Sequence, residues 1–153
     1  MNIYIITHGE KNKGANPELT EAGKAAIANL PVPDRIAQVI VGTGRRFTDV
    51  LAIIKDRIEN VPVKFSSLCG SADSGEKSEA GFAVVLADGT IMNVDDYLGL
   101  AGTPGVDLVV WLESLSDRTL LCAGREFLKG IRYEDGVPGC LCHYNGVKVT
   151  QIA

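Results

Sequence analysis

Apolar positions along the chain fall into short blocks separated by polar, glycine- or proline-bearing segments. Residues 2–7 form an isoleucine-rich, weakly alternating block, which predicts a buried strand running directly into His8-Gly9-Glu10. Residues 11–17, with Gly14 and Pro17, read as loop. Thr20 suits an N-cap, with Glu21 favourable in the first turn and Gly23 a weak spot inside the helix. Ala22, Ala26, Ile27 and Leu30 recur at helical spacing until Pro31 and Pro33 stop it. Residues 36–41 predict a central strand. Gly42-Thr43-Gly44 then turns into a helix with Phe47, Val50, Leu51, Ile54 and Ile58 on one face. Residues 61–65 predict a short third strand.

The second half is less regular. Residues 66–81 are rich in Ser and Gly and read as a long functional loop. Residues 82–86 and 90–94 flank Ala87-Asp88-Gly89 as a hairpin. Thr103-Pro104 opens a helix through Leu115, although the apolar core of that stretch, residues 108–112, also suits a strand. Residues 119–122 predict a buried strand, Ala123-Gly124 a turn, and residues 125–129 a short helix. Residues 141–144 and 147–152 form a hairpin about Asn145-Gly146. Strands alternating with helices imply an α/β fold around a mostly parallel sheet.

Composition narrows this picture. A chain of 153 residues suits one domain, 1–153, and 46% apolar with 22% charged residues is ordinary for a globular protein. The longest uncharged stretch, residues 136–147, is short of the roughly 18 residues that a membrane helix needs. No basic segment precedes the first apolar block, so that block reads as a strand and not as a signal peptide. A net charge of −4 without a Lys/Arg cluster argues against nucleic acid as partner. Cys69, Cys122, Cys140 and Cys142 lack CxxC spacing and read as free thiols of a cytoplasmic protein. Cys140-Leu141-Cys142-His143 has no second ligand pair, so no metal site is expected; the two cysteines share a strand face as small core residues.

In parallel sheets, ligands bind beyond the carboxyl ends of the strands. Three segments lie there: Thr7-His8-Gly9, Gly42-Thr43-Gly44-Arg45-Arg46 and Ala123-Gly124-Arg125. A histidine on such a platform can act as nucleophile, base or ligand; a surface-loop histidine without a role is the bland alternative. Glycines at a strand-to-helix junction admit an anion, and arginine adds a bidentate fork, so phosphate, sulfate or carboxylate would suit. The alternative is that one arginine caps a neighbouring helix or pairs with Asp49.

Ile3-Tyr4-Ile5-Ile6-Thr7-His8-Gly9-Glu10, then Asn16-Pro17-Glu18-Leu19-Thr20-Glu21-Ala22-Gly23, then Gly44-Arg45-Arg46, resembles the histidine phosphatase superfamily, also called phosphoglycerate mutase-like. The resemblance is specific over residues 3–51 and looser over 119–128; residues 66–100 match nothing in it. It implies a three-layer α/β sandwich and a site for phosphate or a small phosphorylated ligand, with no cofactor. It also implies that His8 is the phosphorylated nucleophile, Arg46 a phosphoryl clamp and Glu10 a supporting acid. The proton donor is expected in the long loop, at Glu76 or Glu79, with Glu76 preferred. Two positions depart from the pattern: Thr7 stands where the family has its first arginine, and Ala123 where it has its second histidine. Losing one oriented donor costs on the order of 10²–10³ in rate, so activity is expected to be weak or altered. Thr7, Gly9, Arg45 and Arg125 are the expected ligand contacts, with Arg125 ranked above His143 as the replacement cation. In the bland reading, Arg125 pairs with Glu126 or Asp117. The alternative functions are an inactive pseudo-phosphatase that acts as a binding or regulatory module, and a ligand sensor.

Overall fold

The N-terminal isoleucine block becomes strand β1 (Ile3–Thr7), whose Ile3, Ile5, Ile6 and Thr7 are completely buried. A strand hidden on both faces has no reason to alternate, hence its nearly continuous apolar sequence. The computed structural model describes residues 1–13, 17–58, 60–69, 83–85, 91–93 and 108–153. After β1 come helix α1 (Glu21–Ala28), β2 (Gln38–Val41), α2 (Arg45–Ile54) and β3 (Val63–Phe65). The short strands β4 (Ala83–Val85) and β5 (Ile91–Asn93) follow. Helix α3 (Leu108–Ser114), β6 (Thr119–Ala123), α4 (Arg125–Gly130), β7 (Leu141–Tyr144) and β8 (Val149–Gln151) complete the described elements.

Six strands form one sheet in the order β3-β2-β6-β1-β7-β8. The first four are parallel; β7 is antiparallel to β1, and β8 to β7. Ile5 lies opposite Leu121 on one side and Cys142 on the other, which fixes the register at the centre. Alternate residues supply two cores. Ile6, Val39, Val41, Leu120 and Cys122 pack with Ile27 of α1 and with Phe47, Val50 and Ile54 of α2. Ile3, Ile5, Leu121 and Ala123 pack with Leu112 of α3 and with Phe127 and Leu128 of α4. Each large apolar side chain among them contributes about 1.5–3 kcal/mol when fully buried.

The structure settles several sequence expectations. Residues 108–112 are helical, not a strand; the start expected at Thr103-Pro104 lies outside the described residues. β4 and β5 pair antiparallel as a separate two-stranded sheet, as the hairpin pattern requires. The strand expected over 61–65 begins at Val63, which lies 39% exposed in the edge strand of the sheet. Within the expected long loop, Ser67–Cys69 make a 3₁₀ turn. The closing hairpin has a longer turn than expected, with β8 starting at Val149, because the Asn145 carboxamide oxygen accepts from both Val147 N (2.9 Å) and Lys148 N (3.0 Å). No helix among the described residues is long and apolar enough to cross a membrane.

Gly23 is no weak spot. A Cβ there would lie 2.2 Å from the Glu10 carbonyl oxygen, and one on Gly9 would lie 2.5 Å from the Gly23 carbonyl oxygen. Two backbones therefore touch directly, and α1 docks on the turn that carries His8. Thr20 secures the contact twice. Its hydroxyl accepts from Gly23 N (3.0 Å) as N-cap, and its own amide donates to Glu10 O (2.9 Å). Helix propensity alone would make Gly23→Ala stabilising by about 0.5–1 kcal/mol. Overpacking against a carbonyl costs about 1–3 kcal/mol, so the variant is expected to lose stability in urea denaturation. A gain would refute the close approach.

Candidate functional site

Parallel pairing sets the three strand ends side by side. Thr7 is opposite Ala123, and Val41 opposite Cys122. Beyond them, His8 N donates to Ala123 O (3.3 Å), Gly42 N to Cys122 O (3.0 Å) and Gly139 N to His8 O (3.0 Å). The side chains converge on one ring, that of Phe47. His8 meets it edge-on at 5.4 Å between centroids, and the Arg46 guanidinium lies 4.5 Å from its centre. Gly42 and Gly124 line the same ring: a Cβ would sit 2.6 Å from it at Gly42 and 3.6 Å at Gly124. Gly42 thus admits the phenyl ring, which in turn backs the histidine.

His8 Nδ1 lies 2.9 Å from Gly9 O. A carbonyl only accepts, so Nδ1 carries the proton in the neutral ring and Nε2 carries the lone pair. Burial lowers the His8 pKa to about 4, opposed by the bond to Gly9 and assisted by the charges of Arg46, Lys11 and Arg125. The ring is therefore neutral at ordinary pH, with one defined nucleophilic nitrogen.

The expected site residues divide. Arg46, in the first turn of α2, is 2% exposed beside His8. Arg45 points elsewhere: it is exposed and pairs with Glu18 at 2.5 Å, lining a polar hollow of about 450 Å³ between the starts of α1 and α2. Asp49, its expected alternative partner, instead accepts from Leu19 N at 3.0 Å. Gly9 serves the contact with Gly23. Thr7 departs from its expected role. Its hydroxyl donates to Val137 O (2.7 Å) and accepts from Cys140 N (2.9 Å), so its proton is committed inside the protein. Ala123 is likewise fully buried.

Arg125 opens α4, exposed, with its charge felt at His8. The two carboxylates of the bland reading are engaged elsewhere: Glu126 pairs with Lys129 at 3.2 Å, and Asp117 accepts from Asn2 N at 2.6 Å. His143 is remote from the site; it stacks on Tyr4 at 5.1 Å, and its Nε2 lies 2.9 Å from Asn2 Oδ1, toward the opposite end of β1. Glu10 is exposed and contributes its backbone carbonyl to the docking of α1. Glu76 and Glu79 lie outside the described residues, and among those described no group of three or more His, Cys, Asp and Glu could hold a metal ion.

Sequence reasoning passed over Thr43. It is 9% exposed, and its hydroxyl has no hydrogen-bond partner among the described residues. It directly precedes Gly44, the N-cap of α2, which has no side chain to cap the helix. An orphaned buried hydroxyl costs about 1–3 kcal/mol unless a ligand or water completes it. The sequence places Thr43 between the two glycines of the turn, but its burial is visible only in the structure.

Three solved structures share this architecture over nearly their whole length. TTHB049 from Thermus thermophilus superposes with a TM-score of 0.62 at 13% identity, covering 100% of this chain and 99% of its own. Phosphoglycerate mutase from the same organism gives 0.57 at 12%, with coverage of 100% and 99%. A protein from Agrobacterium tumefaciens named as the phosphohistidine phosphatase SixA gives 0.54 at 12%, with coverage of 99% and 95%. The fold is phosphoglycerate mutase-like. No protein-family model matches the sequence, and neither does any curated protein.

Titrating the His8 ring by NMR is expected to give a pKa near 4, well below the ordinary 6.5. Folding depresses this pKa, so the unfolded chain binds the proton first as pH falls. The His8 contribution to stability is thus constant above about 6.5 and declines as pH drops toward about 4. His8→Gln should remove that part of the pH dependence. A ring titrating at its ordinary value would contradict the burial and charge argument.

Proposed function

We propose that the chain is a three-layer α/β sandwich of the histidine phosphatase type that binds phosphate or a small phosphate ester between His8 and Arg46 and hydrolyses such esters weakly. The observation that carries this reading is the tautomer of His8: Nδ1–H is fixed on Gly9 O, leaving Nε2 as a neutral nucleophile beside a buried guanidinium. The Nε2 lone pair attacks phosphorus, the bond to the ester oxygen breaks, and the leaving oxygen takes a proton from an acid, for which Glu76 is the candidate. Water then attacks the phosphohistidine, returns a proton to the same carboxylate, and releases inorganic phosphate, restoring neutral His8. Arg46, with Lys11 and Arg125 around it, balances the charge of the phosphoryl oxygens, and the Thr43 hydroxyl supplies a donor. Four free thiols suit a cytoplasmic setting.

A second reading, a binding or regulatory module without turnover, draws support from Thr7 and Ala123. Both positions are filled and wholly buried, and neither presents a polar group to a ligand. Formation of phosphohistidine at His8 on incubation with an aryl phosphate separates the two, because a pure binding module forms none.

Inorganic phosphate should shift the His8 ring resonances and raise its pKa, since an anion that prefers the protonated ring must by linkage favour protonation. No response up to tens of millimolar would sink the anion site. Arg125→Ala should weaken phosphate binding about 10- to 150-fold, the equivalent of a charged hydrogen bond of roughly 1.5–3 kcal/mol. Its melting temperature should stay almost unchanged, because Arg125 is exposed. Unaltered affinity would remove Arg125 from the site.

A further inference from the structure

Cys140 and Cys142 stand two residues apart around the start of β7, so their side chains fall on the same face. Their sulfurs are 3.8 Å apart, in contact and unbonded. The backbone of Cys140 is tied to the last residue of β1 in both directions: Thr7 N donates to Cys140 O (3.0 Å), and Cys140 N donates to Thr7 Oγ1 (2.9 Å). One residue earlier, Gly139 N donates to His8 O (3.0 Å). Thr7 Oγ1 is also 3.4 Å from Cys140 Sγ. The thiol pair and the histidine are therefore successive attachments on one backbone seam.

We propose that Cys140 and Cys142 form a peroxide-responsive dithiol whose oxidation to a disulfide displaces the end of β1 and with it the His8 ring. The proposal goes beyond phosphate binding and does not require it. The Cys140 thiolate attacks one oxygen of hydrogen peroxide; the O–O bond breaks, and the departing hydroxide takes up the thiol proton as water. Cys142 sulfur then attacks the resulting sulfenic acid, the S–S bond forms, and the sulfenic oxygen leaves with the Cys142 proton as a second water. Two thiols are oxidised and one peroxide is reduced.

The local chemistry favours Cys140 as the first attacker. The Cys142 thiol can donate to it, which lowers the Cys140 pKa and raises that of Cys142. Both sulfurs are buried, which selects a small neutral oxidant over a peptide disulfide. Val137, whose carbonyl accepts from Thr7, is 45% exposed, so the surface lies one hydrogen bond away from the residue that holds Cys140. Closing the bond brings the sulfurs to about 2.05 Å, across Cα atoms that an extended strand sets about 6.6 Å apart, the wide end of the permitted range. The usual separation is about 5.5–6 Å, so closure favours a contraction of the backbone, which the two Cys140–Thr7 hydrogen bonds transmit to β1.

Trypsin isolates residues 133–148, a peptide holding Cys140 and Cys142 and no other cysteine. After treatment of the folded protein with about one equivalent of peroxide, this peptide is expected to be lighter by two hydrogen atoms without reduction. The His8 ring resonances should move, and both changes should reverse with a dithiol reductant. Cys142→Ser should abolish the disulfide and leave a Cys140 sulfenic acid that dimedone labels. If that variant does not fold, the native protein decides alone. Four thiols still open to alkylation after peroxide, or a disulfide through Cys69 or Cys122, would overturn the pairing. A Cys140–Cys142 bond formed while His8 stays unmoved would overturn the coupling.

Discussion

His8 sits where three backbones are forced together. Its amide is held by β6 through Ala123, its carbonyl by the segment before β7 through Gly139, and Gly9 presses on Gly23 with no room for a side chain. None of these contacts involves a side chain, yet they fix the Gly9 carbonyl, and that carbonyl selects the ring nitrogen that keeps its lone pair. The chemistry of the site thus rests on main-chain packing. A β-carbon at Gly9 or Gly23 would push α1 away from the turn and release the carbonyl that orients the ring.

Charge at the site works with this geometry. A partly buried histidine near Arg46, Lys11 and Arg125 stays unprotonated, so its Nε2 lone pair is available without a separate base. The same cations attract an anion, and the two effects oppose each other on the histidine proton. An anion bound there would reverse part of the shift that the cations impose. A site that holds the ring neutral when empty and tolerates its positive charge when occupied is suited to a group that acquires a covalent phosphoryl and then loses it.

Much of the architecture was legible in the sequence because burial writes itself into the pattern. β1, β6 and α2 are an apolar block, another such block and a helical stripe, and each appears near where the pattern places it, although β6 takes in Ala123 and α2 ends at Ile54 in a 3₁₀ turn short of Ile58. The junctions bearing His8 and Arg46 followed from glycines and cations at strand ends. What was not legible depends on contacts between distant residues. Nothing local tells that Gly23 meets Glu10, that Thr7 hydrogen-bonds across 130 residues to Val137, or that Arg45 reaches Glu18 while its neighbour turns inward. Thr43 was hidden for another reason: a threonine between glycines reads as a turn residue, and only its burial reveals an unsatisfied hydroxyl.

Thr7 and Ala123, beside the strand-end histidine, have a common physical effect. Both fill interior positions, and among the described residues the positive charge felt at His8 comes from buried Arg46 and from Lys11 and Arg125, both exposed. A unit charge at 4 Å contributes about 1 kcal/mol in bulk water and about 4 kcal/mol at the effective dielectric of a protein surface. Exposed cations therefore draw an anion in while discriminating weakly between a bound phosphate and the more charge-spread transition state. Rate acceleration needs interactions that strengthen along the reaction. Under the proposed phosphate chemistry, charge carried on solvated side chains and not on fixed interior donors would support affinity more than turnover.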